Sequence, residues 1–198
     1  MPEKHLSSQF DAELNHVSSM VMEMGGLVEQ QMRQAVEAMI DYDADVAQSV
    51  LKNEPQVNAM EMEIDHEMTS IIGRRQPTAR DLRLLIAISR TTANLERAGD
   101  EAAKIARTVQ GVIQSGFARS LPSSELRVGA SLASDLLRKS LDAFARLDVR
   151  IALDILREDN MIDAEYDGFM RKLVTYMMED PRTITASLDL MFLAKSIE

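Results

Sequence analysis

The sequence predicts an all-α protein made of two tandem three-helix bundles. Glycine and proline number only 8 and 5 in 198 residues, so long stretches contain no helix-breaking residue. Aromatic residues make up 4% of the chain, tryptophan is absent and methionine reaches 14. A core without many rings must be built from aliphatic side chains and methionine, which favour helices. The third observation is an internal repeat, which sets the number of bundles.

Six helical segments follow from the positions of proline, glycine and short polar stretches. The first three are predicted over residues 7–41, 43–74 and 78–115, with the break RRQPT before the third. After the polar connection SGFARSLPSS, the fourth covers 125–147, the fifth 148–178, and the sixth follows EDPRT to the end. Most connections are only a few residues long, so consecutive helices are expected to pack antiparallel.

The six segments read as two copies of one three-helix unit. The stretch VEAMIDYDADVAQSVL from Val36 lines up with LDAFARLDVRIALDIL from Leu141, 105 residues later. Leu95 lines up with Ile197, 102 residues later, because three residues are deleted near the preceding loop. Such self-similarity indicates a duplicated structural unit. We predict a first unit over 1–117 and a second over 122–198, with its last helix truncated.

The third segment carries an apolar seam, with two carboxylates on its far side. Apolar residues recur in steps of four and three, a pattern typical of a helix packed on neighbouring helices. The seam consists of Leu84, Ile88, Thr91, Leu95, Ala98, Ala102, Ile105, Val109 and Val112. Glu96 and Asp100 lie roughly 130–170° from its centre, on the opposite face. We expect them on a face that a ligand can approach, with Gly99 beside it and with small or polar neighbours: Ser89, Ala93, Ala103 and Arg107.

Two pairs of carboxylates are candidate metal ligands. Glu96 and Asp100 form one pair; Glu61 and Asp65, which flank the apolar seam of the second segment, form the other. Carboxylates four residues apart can share a hard cation such as Mg²⁺ or Mn²⁺, or oxidised iron in a multinuclear site. The same spacing also arises by chance in acidic helices, where it marks a solvated face. The spacing alone leaves both interpretations open.

Other kinds of chemistry are excluded or weakened by composition. The chain has no cysteine, which rules out thiolate nucleophiles and cysteine-bound metal centres. It also lacks the G-x-S-x-G motif of serine hydrolases and a glycine-rich phosphate loop. Glu63 and His66 match the Glu-x-x-His of di-iron bundles, but no second copy exists and His66 is expected to face solvent. A carboxylate-bridged metal enzyme or metal store is the function that these residues leave open.

Charge and hydropathy bound the partners and the location. With 22 basic against 32 acidic residues, the net charge of −10 argues against direct binding of nucleic acid. The N-terminal MPEKHLSSQFDAEL has no apolar signal region, and no stretch reaches the roughly 20 apolar residues that span a bilayer. We therefore expect a soluble protein of the cytoplasm.

Seven blocks follow one another along nearly the whole chain. They are MGGLVEQQ (24–31), RRQPTARDLRLLIAIS (74–89), NLERAGDEAAKIAR (94–107), LDAFARLD (141–148), residues 157–166, LVTYMMEDPRTI (173–184) and AKSIE (194–198). Together they resemble the blocks of the PhoU family, the accessory proteins of phosphate-specific transport systems. Several of these strings are long and unusual, so the resemblance is far more specific than a single carboxylate pair.

The resemblance implies regulation without catalysis. The fold of that family is two tandem three-helix bundles, in agreement with the repeat. Family members couple the PstSCAB phosphate ABC transporter, chiefly its ATPase subunit PstB, to the sensor kinase PhoR, and thereby keep the phosphate-starvation (Pho) regulon off when phosphate is plentiful. PstB and PhoR are thus the expected partners, together with a second copy in a homodimer, without nucleic acid, and with the membrane reached only through partners.

The resemblance also bears on the carboxylates. Family members carry one Glu/Asp-x-x-x-Asp motif per repeat that can bind metal ions or clusters. The first motif falls on Glu96 and Asp100, with Glu61 and Asp65 as neighbours. The second should begin at Glu198, where the sequence stops before the aspartate. Divalent or iron cations (Mg, Mn or Fe) are the candidates.

Overall fold

The computed structural model describes residues 8–115 and 124–198, which form six α-helices and one short 3-10 turn. The helices are α1 (Ser8–Asp41), α2 (Ala44–Arg75), α3 (Ala79–Ser115), α4 (Ser124–Arg146), α5 (Val149–Glu179) and α6 (Ile184–Ile197), with the 3-10 turn at Pro181–Thr183. No strand occurs within these described residues. The predicted all-α class is confirmed, and the helix ends between neighbouring segments fall within a residue of those expected.

The turns α1–α2 and α4–α5 share one local structure, as the repeat predicts. Tyr42 and Leu147, which are equivalent residues, both adopt a left-handed backbone with a φ of 52°. The next residue in each turn is an aspartate that caps the following helix. Asp43 accepts backbone N–H groups two and three residues further on at 2.9 and 3.0 Å, and Asp148 does so at 2.9 and 3.2 Å. These caps bond amides that a helix start otherwise leaves unpaired.

The first three helices pack against one another, as do the last three. Most of the predicted seam of α3 is buried, from Ile88 through Leu95 to Val112. The buried surface of α3 is wider than this seam, because the helix contacts α1, α2 and α6. Additional buried residues on α3 are Asp81, Leu85, Thr92, Gly99, Ala103 and Ala106.

The two bundles share their buried side chains. Leu141 of α4 belongs to the apolar cluster of the first bundle. It fits against Gly25 of α1, where an added Cβ would lie only 2.4 Å from Leu141 Cδ2. A second cluster joins residues of α1, α2 and α3, such as Ile105, to residues of α4, α5 and α6, such as Leu193. The unit boundaries at 117 and 122 stay a prediction, because they lie in 116–123, outside the described residues.

Candidate functional site

The structure brings Glu96 and Asp100 of α3 close enough to Glu61 of α2 for their charges to act on it, together with that of Asp65. Burial is the first cause that raises the pKa of the Glu61 carboxyl. The negative charges of Glu96, Asp65 and Asp100 raise it further. Because Glu96 and Asp100 belong to α3, the two predicted pairs face each other across the contact of two helices. We call Glu61, Asp65, Glu96 and Asp100 the carboxylate quartet.

The quartet lies at the edge of the first bundle. Glu61, Glu96 and Asp100 are half-buried, whereas Asp65 is exposed. Ile64 and Leu95, which neighbour the quartet in sequence, are 0% and 4% exposed and belong to the core. Helix geometry therefore anchors each pair through an adjacent buried side chain while the carboxylates remain accessible to solvent.

Gly99, between Glu96 and Asp100, is a packing position. It is buried, and a Cβ built on it would lie 3.3 Å from Val57 Cγ1 of α2 and 3.4 Å from Gln31 Oε1 of α1. The missing side chain lets both helices approach α3 at the turn that carries the carboxylates. The expectation that Gly99 lies beside a free face is thus corrected, because neighbours cover it from two helices.

The carboxylate-bearing face of α3 is free over only part of its length. Ser89 and Ala93 are exposed, as expected. Ala103, in contrast, is 0% exposed, and Arg107 donates to both carboxylate oxygens of Glu54 on α2 at 2.5 and 2.6 Å. The expected open face is therefore wrong at Ala103, whereas Arg107 is exposed but held in an ion pair. The predicted seam describes one side of α3, whereas in the structure other helices pack against several of its sides.

The quartet suits a hard cation by donor type and charge, but its side chains are not gathered around one point. Carboxylate oxygens are the ligands that Mg²⁺, Mn²⁺ and Ca²⁺ prefer, and a cation would relieve the repulsion on Glu61. Within residues 8–115 and 124–198, however, no three acidic or histidine side chains are placed to hold one ion. Binding of a cation by both pairs would require these side chains to rotate towards it.

Glu198, the fifth predicted ligand, lies apart from the quartet. Its backbone N–H donates to the carbonyl of Ala194 at 3.0 Å, and its carboxylate pairs with Lys195. It lines a cleft of about 460 Å³ between α6 and the rest of the molecule, together with Arg97 and Glu101. Glu198 is not among the charges that raise the pKa of Glu61.

Sequence reasoning missed Gln31, a buried amide beneath the quartet. Its side chain is 1% exposed, and in the part of the chain that the structure describes neither Oε1 nor Nε2 has a hydrogen-bond partner. A buried amide without partners costs free energy. Its burial could have been predicted from its spacing. Gln31 falls three residues after Val28 and four before Ala35, which are both core residues on the same side of α1.

Two other sequence features can also be placed. Glu63 and His66 are both exposed on α2, so the Glu-x-x-His pattern does not point into the bundle. No helix of the described ranges combines the length and the apolar character needed to cross a bilayer. The quartet is therefore the site in which the sequence predictions and the packing of the helices coincide.

The fold and the site define a duplicated helical-bundle protein with an acidic surface site. A family model described as "PhoU domain" matches residues 21–109 and 127–198. The chain belongs to the PhoU family.

Relatives and solved structures agree with this membership. The chain is 48% identical to "Phosphate-specific transport system accessory protein PhoU" of Edwardsiella tarda, over 98% of this chain and 79% of that protein. It is 47% identical to the protein of the same name from Escherichia coli (strain K12), over 98% and 80% of the two chains.

The crystal structure of PhoU from Pseudomonas aeruginosa superposes with a TM-score of 0.92 at 44% identity, covering 95% of this chain and 90% of that one. The phosphate transport system regulatory protein PhoU from Streptococcus pneumoniae shares the fold, with a TM-score of 0.80 at 23% identity over 95% and 91% of the two chains. The relatives carry names of accessory and regulatory proteins. Because these named relatives are accessory proteins, the chain belongs to a family without enzymatic activity, and the metal-enzyme alternative is not retained.

Proposed function

We propose that the chain regulates phosphate uptake and signalling as the accessory protein of a phosphate-specific transport system. The carrying observation is its 48% identity, over 98% of its length, to a protein of that name. In this proposal it works in the cytoplasm as a homodimer, docks on the ATPase subunit PstB of the PstSCAB transporter and on the sensor kinase PhoR, and keeps the Pho regulon off when phosphate is plentiful.

The shape of the first bundle supports a docking role. The helices α2 and α3 have 32 and 37 residues, so each is roughly 50 Å long at 1.5 Å per residue. Both helices keep exposed residues along the surface that their neighbouring helices leave uncovered. Such rigid exposed faces suit a protein that binds partners without reorganising.

The proposal is tested by binding to both partners. Purified chain is mixed with purified PstB, or with the cytoplasmic part of PhoR, in the presence of phosphate, and complexes are separated by size-exclusion chromatography with light scattering. We expect a complex with at least one of them, and the mass of the free chain reports whether it is a dimer. Failure to bind either partner contradicts the proposal.

We also propose that the carboxylate quartet binds a divalent or iron cation. The supporting observation is electrostatic. Glu61 is half-buried, and its pKa is raised by burial and by the negative charges of Glu96 and Asp100 across the contact of α2 and α3. A cation there would replace the repulsion on Glu61 by attraction. The oxygen donors do not choose between Mg, Mn and Fe.

Cation binding is measured by elemental analysis after purification without chelator and by calorimetric titration with Mn²⁺. Glu96→Gln with Asp100→Asn keeps the side-chain shapes and removes two charges, so we expect binding at the quartet to be lost. The matched control is Asp159→Asn with Asp163→Asn, an exposed pair of α5 with the same spacing and the same charge change. Equal loss in both variants, or no binding by the wild type, contradicts a site at the quartet.

A further inference from the structure

Three arginines recur at a spacing of seven residues along α3, and the last of them, Arg97, lines the cleft beside α6. Arg83, Arg90 and Arg97 are seven residues apart, or nearly two helical turns, so they project from almost the same side with a drift of about 20° per step. All three are exposed. In the described part of the chain none takes part in an ion pair. Arg97 is close enough to Glu101 to help lower the pKa of that carboxyl.

Two exposed aliphatic side chains accompany the first two arginines. Ile86 is 45% exposed and lies three residues after Arg83 and four before Arg90, which places it on the same side of the helix. Leu82, one turn earlier, is 37% exposed. We call Leu82, Arg83, Ile86 and Arg90 the arginine face. Residues 82–95 contain no acidic residue, although the whole chain has a net charge of −10.

The internal repeat shows which part of this face is particular to α3. The residues 102 positions later on α6 are Ile184 and Leu188, which are 42% and 43% exposed and match Leu82 and Ile86. The residues that match Arg83 and Arg90 are Thr185 and Phe192. Both repeats thus expose an aliphatic pair at this place, but only the first has arginines at these two positions.

We infer that the arginine face docks an acidic, partly apolar helical segment of a protein partner. The inference rests on the proposed function and assigns it a docking surface. Exposed guanidinium groups without carboxylate partners can bind carboxylates of another chain through paired hydrogen bonds. Ile86 and Leu82 lie between and beside them, where an apolar side chain of the partner would be shielded from water. Arginine is enriched in protein–protein interfaces and among the residues that contribute most to their binding energy.

The spacing and the surroundings favour a protein segment over other anionic ligands. Arg83 and Arg90 are separated by about 10 Å along the helix, too far for a single phosphate ion to bridge. An anionic bilayer is flat, so it would also meet the carboxylates of Glu96 and Asp100 on the adjacent side of α3. A helical segment is narrow enough to contact the arginine face alone.

The test compares two variants of equal net charge. Arg83→Glu with Arg90→Glu reverses the arginine face, whereas Arg127→Glu with Arg150→Glu reverses two exposed arginines of the second unit that also form no ion pair among the described residues. Affinities for purified PstB and for the cytoplasmic part of PhoR are measured by biolayer interferometry. We expect the first variant to bind at least one partner about tenfold or more weakly, because like charges then meet. The second should bind as the wild type does.

The aliphatic residues of the arginine face are tested by a separate variant and a matched control. Ile86→Ala and Leu188→Ala remove side chains of nearly equal exposure at equivalent positions of the two repeats. We expect weaker binding for Ile86→Ala and unchanged binding for Leu188→Ala. If reversal of both arginines lowers the melting temperature, Arg83→Gln with Arg90→Gln tests the same surface without introducing negative charge.

The outcomes separate this inference from the function on which it rests. If the wild type binds a partner and all variants bind equally, the arginine face is not the docking surface, although the proposed function stands. If the wild type binds neither protein, both proposals fail. Phosphatidylglycerol vesicles serve as a further probe. Vesicle binding that is lost only with the arginine face, while protein binding is unchanged, would identify a lipid ligand and overturn the inference.

Discussion

Gly99 shows why a helix can keep a residue that weakens it. Glycine inside a helix costs roughly 1 kcal/mol relative to alanine. At this position the backbone is approached by Val57 and Gln31, each 1% exposed and therefore surrounded by other atoms. The contact among three helices offsets the lost helix propensity. It also holds Glu96 and Asp100, which flank the glycine, at a defined distance from α2.

Replacing Gly99 by alanine tests this balance. We expect Gly99→Ala to lower the free energy of unfolding by about 1–2 kcal/mol, because Val57 is β-branched and buried and cannot easily move away from a Cβ at 3.3 Å. Gly111→Ala on the same helix is the control, since a Cβ there has nothing within 4 Å. It should stabilise by up to about 1 kcal/mol. Urea denaturation measures both, and stabilisation by both would show that Gly99 is not a packing position.

Leu147 is strained by its backbone and gains little from its side chain. It adopts a φ of 52° and is 64% exposed. A left-handed conformation costs an L-residue roughly 1–2 kcal/mol, whereas glycine adopts it freely. We expect Leu147→Gly to raise the free energy of unfolding by about 0.5–1 kcal/mol.

Tyr42 provides the comparison for Leu147, because it has the same φ in the equivalent turn but a half-buried side chain. Burial raises the pKa of its phenol, in accord with that position. Tyr42→Gly should therefore gain less than Leu147→Gly, or lose stability, as packing is removed together with strain. A larger gain at Tyr42 in thermal unfolding would contradict this explanation.

Among the helices, α2 and α3 form the contact at which the carboxylate quartet lies. Their contact is apolar at Val57 and Gly99, acidic at the quartet, and ion-paired where Arg107 meets Glu54. The apolar part holds the helices together, so Glu61 is brought close to the charges of Glu96 and Asp100 although they repel it. The quartet is thus sustained by the packing around it.

Glu61→Gln should stabilise the metal-free protein at neutral pH. The folded state raises the pKa of Glu61 above its ordinary value of 4.5 through burial and through Glu96, Asp65 and Asp100. The folded state therefore binds this proton more tightly than the unfolded state, and stability falls as pH rises through the raised pKa. The advantage of Glu61→Gln should be largest at neutral pH and should shrink as pH falls towards 4.5.

The measurement is chemical unfolding in chelator at pH 5 and at pH 7.5. Glu63→Gln, an exposed neighbour on the same helix, controls for the loss of one negative charge. A gain from Glu61→Gln that is equal at both pH values, or greater at pH 5, would contradict a raised pKa of Glu61 in the folded state.

The molecule as a whole is two sequence repeats joined by shared apolar clusters. Leu141 of the second repeat is buried in the cluster of the first, and a second cluster contains residues of all six helices. Contacts of α1 with α4 and of α3 with α6 connect the bundles. The two repeats should therefore unfold together, because neither keeps its full core without the other.

Leu141→Ala tests this coupling. We expect it to cost about 2–5 kcal/mol, since the side chain is 7% exposed, and to reduce hydrogen-exchange protection in α1–α3 as much as in α4–α6. Leu153→Ala on α5, where the side chain is 53% exposed, should change stability by less than about 0.5 kcal/mol. Loss of protection confined to α4–α6 would show that the bundles are independent.

Most of the helical framework could be derived from local patterns. Sparse glycine and proline placed the six helices, and the repeat placed equivalent turns that the structure shows with the same φ and the same aspartate caps. The carboxylate pairs and the seam of α3 also followed, because the helical period decides which side chains share one face. These properties depend on residues a few positions apart.

Only the tertiary packing decided which neighbouring helix covers each face of a given helix. The burial of Ala103, the tight contact of Gly99 with Gln31, and the place of Leu141 in the first bundle all arise between residues distant in sequence. The period of the apolar residues in α3 does not predict these contacts, because α3 packs on three other helices and its buried surface is wider than one seam. The same packing brought Glu61 to Glu96 and Asp100, and it left Arg83 and Arg90 facing outward.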